Sequence, residues 1–220
     1  MTHRIYLCSK SPRRAELLEL TGLKFEVFSL DDVDEEALLR GHEGDVIGRA
    51  EYLAREKAKA ALRLGKPGIF ITADTLVIAD DGAVLGKPAD TNEAELFLDR
   101  LAGNWHTVAT GVALSEVEAS VVEASEVEAS EVEASESDGI KTRTSSLVET
   151  TRVKFASMTA AEIRRYIATG EPFDKAGGYG IQGRASVYIE RIEGCYFNVV
   201  GFPVHAFWEM WKAFTKSDRD

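Results

Sequence analysis

The sequence predicts an α/β protein built on a mixed β-sheet. Two observations carry that expectation. Short apolar, β-rich runs alternate along the chain with segments whose apolar residues recur at helical spacing. Some neighbouring β-runs are joined by tight turns, as at Asp81-Gly82, so hairpins are mixed with helix-connected strands.

Taken in order, Arg4 to Cys8 is a short strand and Ser9 to Ser11 a turn. Ser11-Pro12 then reads as an N-cap with proline at the first helical position, and Gly22 closes that helix. Phe25 to Phe28 is a second strand, followed by the acidic stretch Asp31 to Glu36. A helix over about 45–64 keeps Ile47, Ala50, Leu53, Ala54, Ala58 and Ala61 in register. Ile69 to Ala73 reads as a central strand, and Leu76 to Ala79 leads into the hairpin turn at Asp81-Gly82. A helix over 91–102 precedes a strand from His106 to Leu114. Val148 to Phe155 is placed as its antiparallel partner. Thr159 with Glu162 marks a capping box on the helix 159–169. A strand from Ser186 to Ile192 follows, and the last helix, about 203–215, carries a stripe of Phe207, Trp208, Met210, Trp211 and Phe214 that reads as core or dimer contact.

The segment 115–138 breaks this rhythm. Ser-Glu-Val-Glu-Ala recurs at 115, 125 and 130, and Ser-Val-Val-Glu-Ala stands at 120. A five-residue step lines up neither on a helix nor on a strand, so the expectation is a solvated acidic loop inserted at a hairpin tip. It holds eight Glu, one Asp and no Lys or Arg. The chain's net charge of −11 is therefore misleading, because the remainder carries only −2. A nearly neutral body argues against a broad nucleic-acid surface. No run of apolar residues is long enough for a membrane helix, and no export signal is evident. With only Cys8 and Cys195, a reducing, cytoplasmic setting is expected.

Four clusters carry candidate chemistry. Ser9-Lys10-Ser11-Pro12-Arg13-Arg14 puts two hydroxyls and three cations at a strand-to-helix turn. Helix starts favour anions, and Arg can grip two phosphate oxygens at once. Two arginines there oppose the helix dipole, which suggests a bound anion to offset them. Ala73-Asp74-Thr75 follows an apolar strand, where α/β sheets place ligand chemistry; Asp74 alone also fits a turn cap. Gly86-Lys87-Pro88 holds a lysine in a turn, and that lysine equally fits a plain surface role. Asp174 to Gly183 includes four glycines in seven residues, with Gln182 able to read a base edge. The four histidines, at 3, 42, 106 and 205, lack zinc spacing, and no G-x-G-x-x-G or Walker A run occurs.

Together with Val33-Asp34-Glu35, Ala54 to Ala58, Gly170-Glu171-Pro172 and Asn198 to Pro203, these clusters resemble the Maf family of nucleotide pyrophosphatases over nearly the whole chain. The resemblance implies a single elongated mixed α/β domain with two lobes around a deep cleft, often as a homodimer. It implies cleavage between the α- and β-phosphates with Mg²⁺ or Mn²⁺. By position, Asp74 would be the proton acceptor and a metal ligand, Glu35 would help with the metal or the water, and Lys87 would assist catalysis. Ser9, Arg14, Lys57, Lys87 and Lys175 would line the triphosphate path, with Ser11 also binding substrate. Arg13, Thr75 and Gln182 match the branch similar to dTTP/UTP pyrophosphatases, with Arg13 grouped with the base-selecting residues. The competing expectation is a nucleotide-binding regulator of cell division without turnover.

Overall fold

The computed structural model describes residues 4–30, 37–38, 42, 44–63, 66–117 and 142–216. Its strands are β1 (Ile5–Cys8), β2 (Glu26–Phe28), β3 (Gly68–Ala79), β4 (Val84–Leu85), β5 (Trp105–Val117), β6 (Thr142–Phe155) and β7 (Ile189–Glu193). The helices used below are α1 (Pro12–Glu19), α2 (Gly48–Leu62), α3 (Thr91–Leu101), α4 (Ala160–Ile167), α5 (Tyr196–Val200) and α6 (Val204–Lys216). The described strands form one seven-stranded sheet in the order β2-β1-β3-β5-β6-β7, with β4 paired to β3. β1 is parallel to β2 and β3, whereas β3, β5, β6 and β7 run antiparallel to their successive neighbours. The mixed α/β class is therefore as the sequence predicts.

β3 sets the architecture. It is one strand of 12 residues, not an apolar strand ending at Ala73 with a second run behind it. Asp74 and Thr75 lie inside it, each paired across to β5, at Gly111 and Thr110. The polar pair looks like a break in sequence because a mostly buried strand is expected to be apolar throughout. It persists because both side chains find partners, one on each face of the sheet.

α2 covers one face. Of its buried residues, Ala50, Ala54, Ala58 and Ala61 are small and only Leu53 is large, so the helix lies close to the strands. At Gly111 a Cβ would stand 2.1 Å from the Ala50 carbonyl oxygen, so this contact requires glycine. The Thr72 hydroxyl donates to the Ala54 carbonyl at 2.7 Å and fixes the helix along β3. On the other face, Leu7, Leu17, Ile69, Ile71, Val112 and Leu114 pack with Phe202 and the α6 residues Phe207, Trp211 and Phe214. The aromatic stripe of α6 is thus core. A second apolar cluster joins Val77, Leu85, Val108 and Phe155 to α3, α4 and Tyr179.

β5 outruns its expected end at Leu114. Ser115, Glu116 and Val117 are buried and paired with Thr144, Arg143 and Thr142. Arg143 Nε donates to Glu116 at 2.8 Å and its guanidinium stacks on Phe214. The first three residues of the expected acidic loop 115–138 therefore belong to the sheet, where a buried glutamate is tolerated because it is paired. Residues 118–138 lie outside the described residues. The capping box at Thr159 is present in full. By contrast, β7 starts only at Ile189, because Arg184–Tyr188 winds into a 3₁₀ turn.

Candidate active site

The site is a window in the sheet. β1 ends at Cys8, opposite Thr72, while β3 runs on to Ala79. β4 takes up the same edge only at Val77. Between them the edge of β3 from Ala73 to Leu76 has neither strand beside it. A cleft of about 740 Å³ opens there, lined among others by Ser9 to Arg14, Lys57, Asp74, Thr75, Lys87, Lys175 and Gln182. This is the crevice beyond the end of a parallel strand where α/β sheets place ligands.

Alternation along β3 sends neighbouring residues to opposite faces. Asp74 meets α2, where Lys57 Nζ donates to Oδ1 at 2.5 Å. Both side chains are mostly buried, at 14% and 9% exposure, so this is a desolvated pair and not a surface ion pair. Thr75 meets α1 instead. Its hydroxyl receives a hydrogen bond from Arg14 Nη2 at 3.1 Å and lies 3.0 Å from the Thr110 hydroxyl.

Arg14 knots the window together. Its Nη1 donates to the Ala73 carbonyl at 2.8 Å, where β1 no longer reaches, and its Nε to the Gly201 carbonyl at 3.0 Å. Ser9 Oγ lies 3.4 Å from the same guanidinium and accepts the Ser11 amide at 3.1 Å. Ser11 takes the expected N-cap position with Pro12 opening the helix, but its side chain makes no capping hydrogen bond. Ser9 Oγ holds the Ser11 amide instead, and Ser11 lines the cleft. Arg13 reaches across the cleft to Asp174 at 3.3 Å. Both arginines at the α1 start therefore have protein partners, so their opposition to the helix dipole does not by itself call for a bound anion. The structure also groups Thr75 with Arg14, not with Arg13.

Lys87 is exposed at the cleft wall. The Gly177 amide donates to the Gly86 carbonyl at 2.9 Å, which ties the Lys87 turn to the glycine-rich segment. Gly177 has φ 71°, and a Cβ there would meet Val77 at 2.8 Å, so this residue lets the segment press onto β3. Lys175 Nζ donates to the Glu171 carbonyl at 2.9 Å and to Asp174 at 2.5 Å. Gln182 is exposed on the same segment. Glu35 lies outside the described residues. Among the described residues no group of three or more His, Cys, Asp or Glu is placed to hold a metal ion.

Three participants escape a linear reading. Asp174 sits between two cations; burial alone would raise its carboxyl, but Lys175 and Arg13 outweigh it and hold it below its ordinary value. Glu171 accepts from the Tyr166 hydroxyl at 3.1 Å and from the Arg184 amide at 3.0 Å, bracing the loop that carries Gln182. His106 lies 2.7 Å from the Tyr179 hydroxyl and anchors that loop in the core. Burial pushes His106 down to about 4 and raises Tyr179. Glu171 stands in the Gly170-Glu171-Pro172 motif and Tyr179 among the glycines, but neither pattern shows their partners.

Fold and site together define a mixed α/β protein with a cation-lined cleft around one buried carboxylate. Residues 4–214 match the family model for Maf-like proteins, and the chain belongs to that family. It is 42% identical over 201 residues to the dTTP/UTP pyrophosphatase of Carboxydothermus hydrogenoformans, covering 91% of this chain and 93% of that one. The dTTP/UTP pyrophosphatase of Syntrophomonas wolfei is 41% identical over 199 residues, 90% of each chain. That of Clostridium perfringens is 37% identical over 219 residues, 98% of this chain and 97% of the other. A solved nucleoside-triphosphatase, a dITP/XTP pyrophosphatase from Mycobacterium abscessus, shares 16% identity at a TM-score of 0.33, covering 71% of this chain and 76% of that one. No helix among the described residues is long and apolar enough to cross a membrane.

Proposed function

We propose that the protein is a nucleoside triphosphate pyrophosphatase acting on dTTP and UTP. The observation that carries the reading is the Lys57–Asp74 pair, buried at a cleft whose other walls bring Ser9 to Arg14, Lys87 and Lys175 together. Relatives named dTTP/UTP pyrophosphatase, aligned over about nine-tenths of the chain or more, support it.

In this reading the cations take the phosphate chain, since phosphoanhydride cleavage needs charge neutralisation and an oriented water more than covalent help. Water attacks the α-phosphorus. A new P–O bond forms, the bond to the bridging oxygen breaks, and pyrophosphate leaves with that oxygen. Asp74 accepts the water's proton, and Lys57 holds the carboxylate in place. Gln182 and Thr75 are assigned to the base end, while Arg13, drawn across the cleft to Asp174 beside Lys175, is assigned to the phosphate chain.

A divalent ion, Mg²⁺ or Mn²⁺, belongs to the same reading. Asp74 is the described carboxylate at the β3 window, and Glu35 is the second proposed ligand. One or two carboxylates with substrate phosphates suffice for an ion of this kind. When bound it would add to the neutralisation of the phosphates.

A pyrophosphate-release screen over all NTPs and dNTPs with Mg²⁺ or Mn²⁺ tests the proposal. Turnover of UTP and dTTP should exceed that of the purine nucleotides and fall about 100-fold or more in Asp74→Asn, the usual scale for losing a general base. Binding of nucleotides with no turnover of any would overturn it in favour of a sensing role.

A further inference from the structure

Asp174 carries an inference that rests on reading the cleft as a triphosphate site. It ends the 3₁₀ turn Glu171–Asp174, and its side chain is 64% exposed. Nothing in the core depends on it. Yet it faces two cations of the cleft, Arg13 from α1 at 3.3 Å and Lys175 at 2.5 Å. Arg13 and Asp174 are 161 residues apart in sequence and come from opposite walls. An exposed ion pair of this kind adds little to fold stability.

A carboxylate resembles a phosphate edge in charge and in its acceptor oxygens. We propose that Asp174 is a resident competitor for the phosphate site, holding Arg13 and Lys175 until a phosphate chain displaces it and returning to them as pyrophosphate leaves. The cost falls on any phosphate chain that enters. A nucleotide offsets it with sugar and base contacts, whereas bare pyrophosphate has none. Asp174 thereby favours release of product over retention.

The test is calorimetric titration of the full-length protein with inorganic pyrophosphate. Asp174→Asn should bind it about three- to tenfold tighter, the scale expected for removing one partially screened counter-charge. Asp81→Asn removes the same charge from the Asp81–Arg100 pair away from the cleft and should leave affinity unchanged. In steady state with UTP, Asp174→Asn should lower KM and kcat together, as slower release limits turnover. Asp174→Ser removes the charge without leaving an amide and serves as the second variant. Tighter pyrophosphate binding in whichever variant keeps the wild-type melting temperature supports the proposal. Unchanged or weaker binding there, or equal tightening in Asp81→Asn, overturns it. The titration needs no turnover, so a protein inactive on every nucleotide would refute the proposed function and leave this result to stand or fall alone.

Discussion

At the scale of single residues, His106 links the glycine-rich loop to pH. It is buried, bonded to Tyr179, and held down to about 4. In the unfolded chain it titrates near 6.5. Protons therefore bind the unfolded chain more readily. Its contribution to stability is complete above about pH 6.5, shrinks as pH falls, and is gone below about 4, a loss on the order of 3 kcal/mol. Denaturant midpoints measured across that range should fall in the wild type and flatten in His106→Gln. Residue identities at the cleft were readable where a motif is local: Ser9, Arg13 and Arg14 announce themselves within six positions. Their roles were less readable. The Arg13 partner is remote in sequence, and Arg14 spends its guanidinium on the Ala73 and Gly201 carbonyls, which no side-chain pattern can reveal. Backbone acceptors leave no trace in residue types.

At the scale of elements, the close seat of α2 on β5 is what brings Lys57 to Asp74. Gly111→Ala would drive a methyl group into the Ala50 carbonyl. We expect a loss of about 2–3 kcal/mol in chemical denaturation, as for overpacked cores, with a larger fall in kcat than in affinity because α2 moves with its lysine. Strand and helix positions were largely legible, since periodicity and capping residues reflect burial directly. The errors share a cause. In sequence β3 looks broken at Asp74 and β5 looks finished at Leu114, each at a polar residue in a buried strand. Such residues are tolerated only through partners on other elements, Lys57 for Asp74 and Arg143 for Glu116. Pattern reading sees the polarity and not the partner.

At the scale of the whole molecule, β5 and β6 frame the acidic repeat. Val117 pairs with Thr142, so the two ends stand side by side. Replacing residues 118–141 by Asn-Gly should close a two-residue hairpin there. Pyrophosphate release should stay within about threefold of wild type, and the melting temperature should hold, since the two ends to be joined are already paired neighbours. Cutting from Ser115 instead would remove the partner of Arg143 and lower stability. The pair of deletions separates the repeat from its buried root.

The window beside β3 exists because β1 is short. A chain in which β1 continued past Cys8 would gain ladder hydrogen bonds along Ala73 to Leu76 and release Arg14 from the Ala73 carbonyl. By ordinary measures that protein would be more regular and more robust, and it would have no cleft. Selection for heat resistance alone would thus push this sheet toward closing its own doorway, and variants recovered that way should be checked for ligand entry before they are counted as improvements.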